Sequence, residues 1–208
     1  MKPQSILLIL GATFSLLGFN PTPAATAAQP EPAVIVSPRE ASWMEQLAAR
    51  EVRRYVYACT GRLLPMLTEP KGALPKGNLI LVGRKDRAVV RSIVDSQLLA
   101  ALDALAPQCY RLKTIPNQRT SSTGARVLLL TGGDDAGTLY AAYRLAEALG
   151  VRFYLHGDVI PDEPMEWRLP DLDERGAPLF ALRGIQPFHD FPEGPDWWNR
   201  DDYLAVIG

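Results

Sequence analysis

Between Ala125 and Pro161 the chain passes from an apolar run to paired glycines, then to a periodic stretch, and back to an apolar run. Val127-Leu128-Leu129-Leu130 is short and continuous, the pattern of a strand covered on both faces. Gly132 and Gly133 let the backbone turn sharply, and Asp134 or Asp135 can cap the next helix and complement its dipole. Leu139, Tyr143, Ala146 and Leu149 recur at three- and four-residue steps, giving that helix one face to bury, and Gly150 is its natural stop. Val151 to Leu155 predicts a further strand, so the unit reads β-turn-α-β.

The same alternation holds upstream. Ala33 to Val36 predicts a first strand, and Ser37-Pro38-Arg39-Glu40 has the cap, proline and early acid of a helix start. Met44, Ala48, Val52, Tyr55 and Cys59 make a buried stripe that ends at Thr60-Gly61. Asn78 to Val82 predicts a second strand, followed after Gly83 by a helix over Asp86 to Ala106. Cys109 to Thr114 predicts a strand leading into the polar loop Pro116 to Gly124. Alternating strands and helices imply the α/β class, a small sheet with packed helices of about 130 residues.

Composition changes after Tyr154. Four prolines and scattered acids between Pro161 and Pro178 predict an extended linker over 161–178, with a strand at Glu166 to Leu169. Leu179 to Ile185 is apolar around Arg183 and predicts a strand. Asn199-Arg200-Asp201-Asp202 opens a helix whose apolar part begins at Tyr203.

At the other end, Lys2, the apolar run Ile6 to Phe19, Pro21 and Pro23, and small residues at Ala25-Thr26-Ala27 have the form of a signal peptide over 1–28. Cleavage is expected after Ala27 or Ala28, which implies a secreted or periplasmic protein. The run is interrupted by Gly11, Thr13, Ser15 and Gly18 and is shorter than the roughly 20 residues of a membrane span, so no stable membrane anchor is expected. The remainder, 29–160, is the α/β domain. With 47% hydrophobic and 22% charged residues the chain can build a core, and its net charge of -1 gives no electrostatic case for nucleic acid. Cys59 and Cys109 are the two cysteines, and the sequence leaves open whether they pair or remain free thiols.

One resemblance sharpens this reading. Gly133, Gly137, Leu139, Tyr140, Tyr143, Leu145, Glu147, Leu149, Gly150, Val151, Arg152, Phe153 and Tyr154, then Gly157, Asp158, Ile160 and Pro161, follow a shared pattern. It resembles the non-catalytic α/β domain that precedes the catalytic barrel in β-N-acetylhexosaminidases and α-glucuronidases (β-hexosaminidase domain-2-like, α-glucuronidase N-terminal-like). The resemblance implies an accessory domain of a glycoside hydrolase, with 179–208 as the incomplete first βα unit of a TIM barrel. A complete barrel has eight such units and about 250 residues. It also implies that Arg183, with Gly184, matches an arginine that contacts sugar hydroxyls, and that the catalytic acids belong to later barrel strands absent from this chain. Parent and chain thus differ: hydrolysis of a glycosidic bond is expected of a longer protein, with a carbohydrate substrate and a missing C-terminal barrel as partners. The alternative is a non-catalytic carbohydrate-binding or structural module.

Candidate chemistry concentrates near the C-terminus. His189, Asp190 and Trp197 are the candidates for a sugar pocket beside Arg183, His189 and Asp190 as hydrogen-bonding groups and Trp197 as a face on which a pyranose stacks; the rival readings are a solvated loop acid or helix cap for Asp190 and cover for a barrel rim or domain interface for Trp197. Phe188, Phe191, Trp198 and Glu193 share that loop. Glycosidic hydrolysis needs paired carboxyl groups about 5 to 10 Å apart or one acid with help from the substrate, so no catalytic residue is assigned here. His156 with Asp158 lacks a third ligand at recognisable spacing, so neither a metal nor a cofactor is expected. The glycine turn has a rival reading as a nucleotide site. Gly-Gly-x-x-x-Gly departs from Gly-x-Gly-x-x-Gly, and Asp134-Asp135 would meet a pyrophosphate with negative charge.

Overall fold

The computed structural model describes residues 33–118, 124–154, 157–184 and 194–207. In chain order these form β1 (Ala33–Ser37), α1 (Trp43–Thr60), β2 (Met66–Thr68), β3 (Asn78–Val82), α2 (Ala88–Arg91), α3 (Ser96–Asp103), β4 (Tyr110–Pro116), β5 (Arg126–Gly132), α4 (Asp135–Ala148), β6 (Arg152–Tyr154), β7 (Gly157–Val159), β8 (Asp173–Gly176) and α5 (Arg200–Ile207). Six strands make one mixed sheet in the order β2-β1-β3-β5-β4-β8. The first four in that order run parallel, whereas β4 is antiparallel to both β5 and β8.

Strand alternation feeds two cores. Ile35, Ile80, Val82, Leu128 and Leu130 pack with the buried faces of α1 and α4, while Val36, Leu79, Leu81, Val127 and Leu129 pack with Val89, Val90, Leu98 and Leu102 of α2 and α3. The continuous apolar run in β5 is therefore explained: each successive residue has its own apolar layer to enter. The protein is of the mixed α/β class, with helices on both faces of its sheet.

Helix α1 starts later than its sequence predicts. Residues Ser37 to Glu40 end β1 and enter a turn, and the cap is Ser42. Ser42 and Glu45 close a capping box, in which Ser42 Oγ accepts from the Glu45 N–H (3.2 Å) and the Glu45 carboxylate accepts from the Ser42 N–H (2.7 Å). Two donors satisfied together outweigh the single cap at Ser37. Gly61 ends the helix with φ of 68°, the left-handed conformation that glycine adopts without a Cβ penalty. The helix expected over Asp86 to Ala106 is instead two, because Asp95 caps α3 through the Leu98 N–H (2.7 Å) and interrupts the first.

Downstream, the strand expected over Val151 to Leu155 is present as β6, but it stays outside the six-stranded sheet, since both edges of β5 are already paired with β3 and β4. It turns back as the separate β6-β7 hairpin. The strand expected at Glu166 to Leu169 lies instead at Asp173–Gly176, and Trp167 and Leu169 are buried core residues. The proline-rich segment 161–178 is therefore fastened to the α/β domain, with Asp173–Gly176 paired into its sheet. The Thr114 N–H donates to the Leu172 carbonyl (2.8 Å), Arg126 Nη2 to the Leu169 carbonyl (2.9 Å) and the Met165 N–H to the Cys59 carbonyl (2.9 Å). Residues 179–184 form no strand; no neighbouring strand among the described residues offers them a ladder, and Leu179, Phe180 and Leu182 are exposed. The expected helix near the C-terminus is α5, whose first turn Asn199 caps through the Asp201 N–H (2.7 Å) and Asp202 N–H (3.2 Å). Both cysteines are free thiols. No helix among the described residues is long and apolar enough to cross a membrane.

Candidate functional site

The glycine turn is filled by protein. A Cβ on Gly133 would lie 2.0 Å from the Ala106 carbonyl oxygen, and one on Gly137 would lie 2.3 Å from that of Cys109. The glycines are there because the loop between α3 and β4 crosses directly over the start of α4. Asp134 completes the closure: its Oδ1 accepts from the Gly137 N–H (2.8 Å) and from the N–H of Gln108 (2.9 Å), which adopts φ of 62°. A helix start occupied by a carboxylate and roofed by two carbonyls has no place for a phosphate. The nucleotide reading is overturned by this packing.

A second polar cluster is not legible as one in the sequence. Glu45 is fully buried, and its carboxylate accepts from Arg84 N–H (2.8 Å), Arg87 Nε (3.0 Å) and Arg87 Nη2 as well as from Ser42. Burial pushes this carboxyl up, but the hydrogen bonds from Arg87 and from the backbone of Arg84 and Ser42 prevail and hold it below its ordinary value. All of its donors come from this chain, so the cluster ties α1 to the loop after β3 and leaves nothing for a ligand.

The open candidate is a cleft of about 770 Å3 between α1, α4, the β6-β7 hairpin and α5. Tyr55 on α1, Tyr143 on α4 and Phe153 on β6 meet edge to face, with centroids 5.3 to 6.3 Å apart. The Tyr55 hydroxyl donates to Asp158 Oδ2 on β7, and Arg54 Nη2 donates to the same oxygen (3.3 Å). Arg54 Nη1 reaches Glu51 (3.1 Å), and its guanidinium lies 4.9 Å from the Tyr55 ring centroid. Burial, then the bond to Asp158, push the Tyr55 phenol above its ordinary value, so it remains a hydrogen-bond donor at neutral pH. Burial likewise raises Tyr143. Asp158 here fastens the hairpin to α1, held by a cation and a phenol.

The residues singled out from sequence fall in different places. Arg183 is turned back onto the α/β domain, donating to the Phe180 carbonyl (2.5 Å), to Gln108 Oε1 and, at 3.5 Å, to the Tyr140 hydroxyl. Trp197 is exposed at the end of a 3-10 turn, Pro195–Trp197, and no hydrogen bond among the described residues joins it to Arg183. Its neighbour Trp198 packs edge-on against Tyr203 at 5.5 Å. His189 and Asp190 lie outside the described residues, as do Phe188, Phe191, Glu193 and His156. No group of three His, Cys, Asp or Glu among the described residues could hold a metal ion.

The described fold and cleft define a mixed α/β domain with an aromatic, partly charged surface cleft. No family model matches the chain, and no curated protein matches it. Solved structures do: one is a family GH115 4-O-methyl-alpha-glucuronidase with specificity for decorated arabinogalactans, at 18% identity and a TM-score of 0.49, over 71% of this chain. The chain spans 17% of that structure's length.

Proposed function

We propose that the chain is the front part of an exported glycoside hydrolase, hexosaminidase- or glucuronidase-like, in which the α/β domain supports a barrel that performs the hydrolysis. The observation that carries this reading is how the resembling segment is used. Gly133, Gly137, Tyr140 and Tyr143 all serve packing or anchoring, as an accessory domain requires, and none joins a pair of carboxyl groups suited to splitting a glycosidic bond. Leu179, Phe180 and Leu182 supply exposed apolar surface for a following domain to cover. In this reading residues 1–28 direct export, and Arg183 orients sugar hydroxyls once it is released from Gln108.

The test has two parts. The locus, read past Gly208, is expected to continue in frame through further βα units, about 250 residues or more. Its product is expected to cleave a 4-nitrophenyl hexosaminide or glucuronide, whereas the 208-residue chain cleaves neither. A locus that stops at Gly208, or a continuation without glycosidase activity, overturns the proposal.

A further inference from the structure

The cleft beside the β6-β7 hairpin holds more binding capacity than its ion pairs use. Its ring floor is fixed: Phe153 meets Tyr55 and Tyr143 edge-on at 5.6 and 5.3 Å and still exposes 37% of its surface. A ring braced on two sides cannot turn away without losing both contacts. Around it stand hydrogen-bonding atoms with nothing to bind among the described residues. The Tyr143 hydroxyl has no partner there, and only one carboxylate oxygen each of Asp158 and Glu51 is engaged. Glu51 and Asp158 are held in position by Arg54, so little ordering of these two carboxylates remains to be done when a ligand arrives. The volume, about 770 Å3, lies within the range of small-ligand sites.

Chemistry narrows the ligand. A partly exposed ring with hydroxyl and carboxylate groups at its margin suits a molecule that is apolar on one side and rimmed with hydroxyls. Two carboxylates against one guanidinium leave the cleft negative, which disfavours an anionic ligand.

We propose that this cleft binds a neutral pyranose unit of a glycan, with the C–H side of the sugar on Phe153 and its hydroxyls on Tyr143, Asp158 and Glu51. The ring floor and its hydrogen-bonding groups lie on the α/β domain, while Leu204, Ala205 and Ile207 of α5 form the remaining apolar wall; the proposal goes beyond the proposed hydrolytic role. Sugar binding is measured on this chain and hydrolysis on a longer product, so either reading can fail while the other stands.

The experiment titrates xylotriose, cellotriose and chitotriose into the isotope-labelled 208-residue chain and follows its amide resonances. At least one is expected to give saturable shifts at Phe153, Gly157 and Asp158 with a dissociation constant of about 0.1 to 1 mM. Trigalacturonate is expected to bind about tenfold more weakly or worse. Tyr143→Phe keeps the ring packing and removes one hydroxyl, and is expected to weaken binding about fivefold. Phe153→Ala is expected to weaken it about tenfold or more. Absence of saturable shifts with all three neutral sugars, or unchanged affinity in Tyr143→Phe and Phe153→Ala alike, overturns the proposal.

Discussion

Arg87→Ala isolates the energetics of the buried carboxylate that anchors α1. In the native protein Glu45 is fully buried and accepts hydrogen bonds from the N–H groups of Ser42 and Arg84 and from two nitrogens of Arg87. The substitution removes the cation and leaves two backbone donors. Deleting one partner of a buried ion pair costs about 3 to 5 kcal/mol, because the remaining charge stays desolvated. The surviving N–H bonds and the 22% exposure of the Arg87 side chain, which admits water, put the expected loss at the lower end, about 3 kcal/mol. For a chain of this size that is a fall in Tm of about 6 to 12 °C. The pH dependence gives an independent readout. A carboxyl held below its ordinary pKa of 4.5 contributes stability that is complete above the unfolded-state pKa and disappears as pH falls through the folded-state value. In Arg87→Ala the burial that raises the pKa is opposed by fewer bonds, so the decline on acidification starts at higher pH than in the parent. Urea unfolding followed by far-ultraviolet circular dichroism across neutral to acid pH measures both effects. A loss under about 1 kcal/mol at neutral pH, or superimposable acid profiles, would refute the reasoning.

Gly137→Ala sets two effects against each other: helix propensity predicts a gain of about 1 kcal/mol, whereas a Cβ placed 2.3 Å from the Cys109 carbonyl oxygen predicts a loss of about 1 to 3 kcal/mol. A thermal melt decides by its sign, and a raised Tm rejects the close approach of loop and helix. The free thiols predict that alkylation without reductant adds two groups to the urea-unfolded chain, read by intact mass. Cys59, buried and with its thiol pushed up by that burial, is expected to stay unlabelled in the native protein; native labelling at Cys59, or a missing adduct in urea, contradicts the structure.

Segments whose deciding neighbours are close in sequence are legible from the residues alone. The β5 run, the Asp134 cap, the body of α4 and the stop at Gly61 each rest on local patterns, and each is found. What local pattern leaves open is decided by distant partners. Val151 to Leu155 does supply a strand, β6, but its place outside the main sheet follows because β4, drawn from an earlier part of the chain, already holds the free edge of β5. Trp167 and Leu169 alternate as a strand would, yet they are used for packing, and pairing falls to the charged residues at Asp173–Gly176. In the candidate cleft, Tyr55 is visible in the sequence only as part of a buried stripe, and Asp158 as a member of the resembling pattern and of an incomplete pair with His156. The bond between them joins residues 103 positions apart, beyond any local spacing rule. Glu45 does carry a local signal, the Ser42-x-x-Glu45 capping box, but its burial depends on Arg87.

The sheet is finished by its last strand, and this orders events in time. Residues 33–37 pair with 78–82, those with 126–132, and the edge is sealed by 173–176 only after a long excursion through α4 and the hairpin. Such distant pairings make a slow folder, since each loop must close before its contacts reward it. During synthesis the chain therefore emerges with β4 bare on one side and the Trp167 niche empty until nearly the whole described sequence has been made. Throughout that interval the edge is open to wrong pairing, and a ribosome stalled near residue 160 would leave a sheet with an unprotected edge.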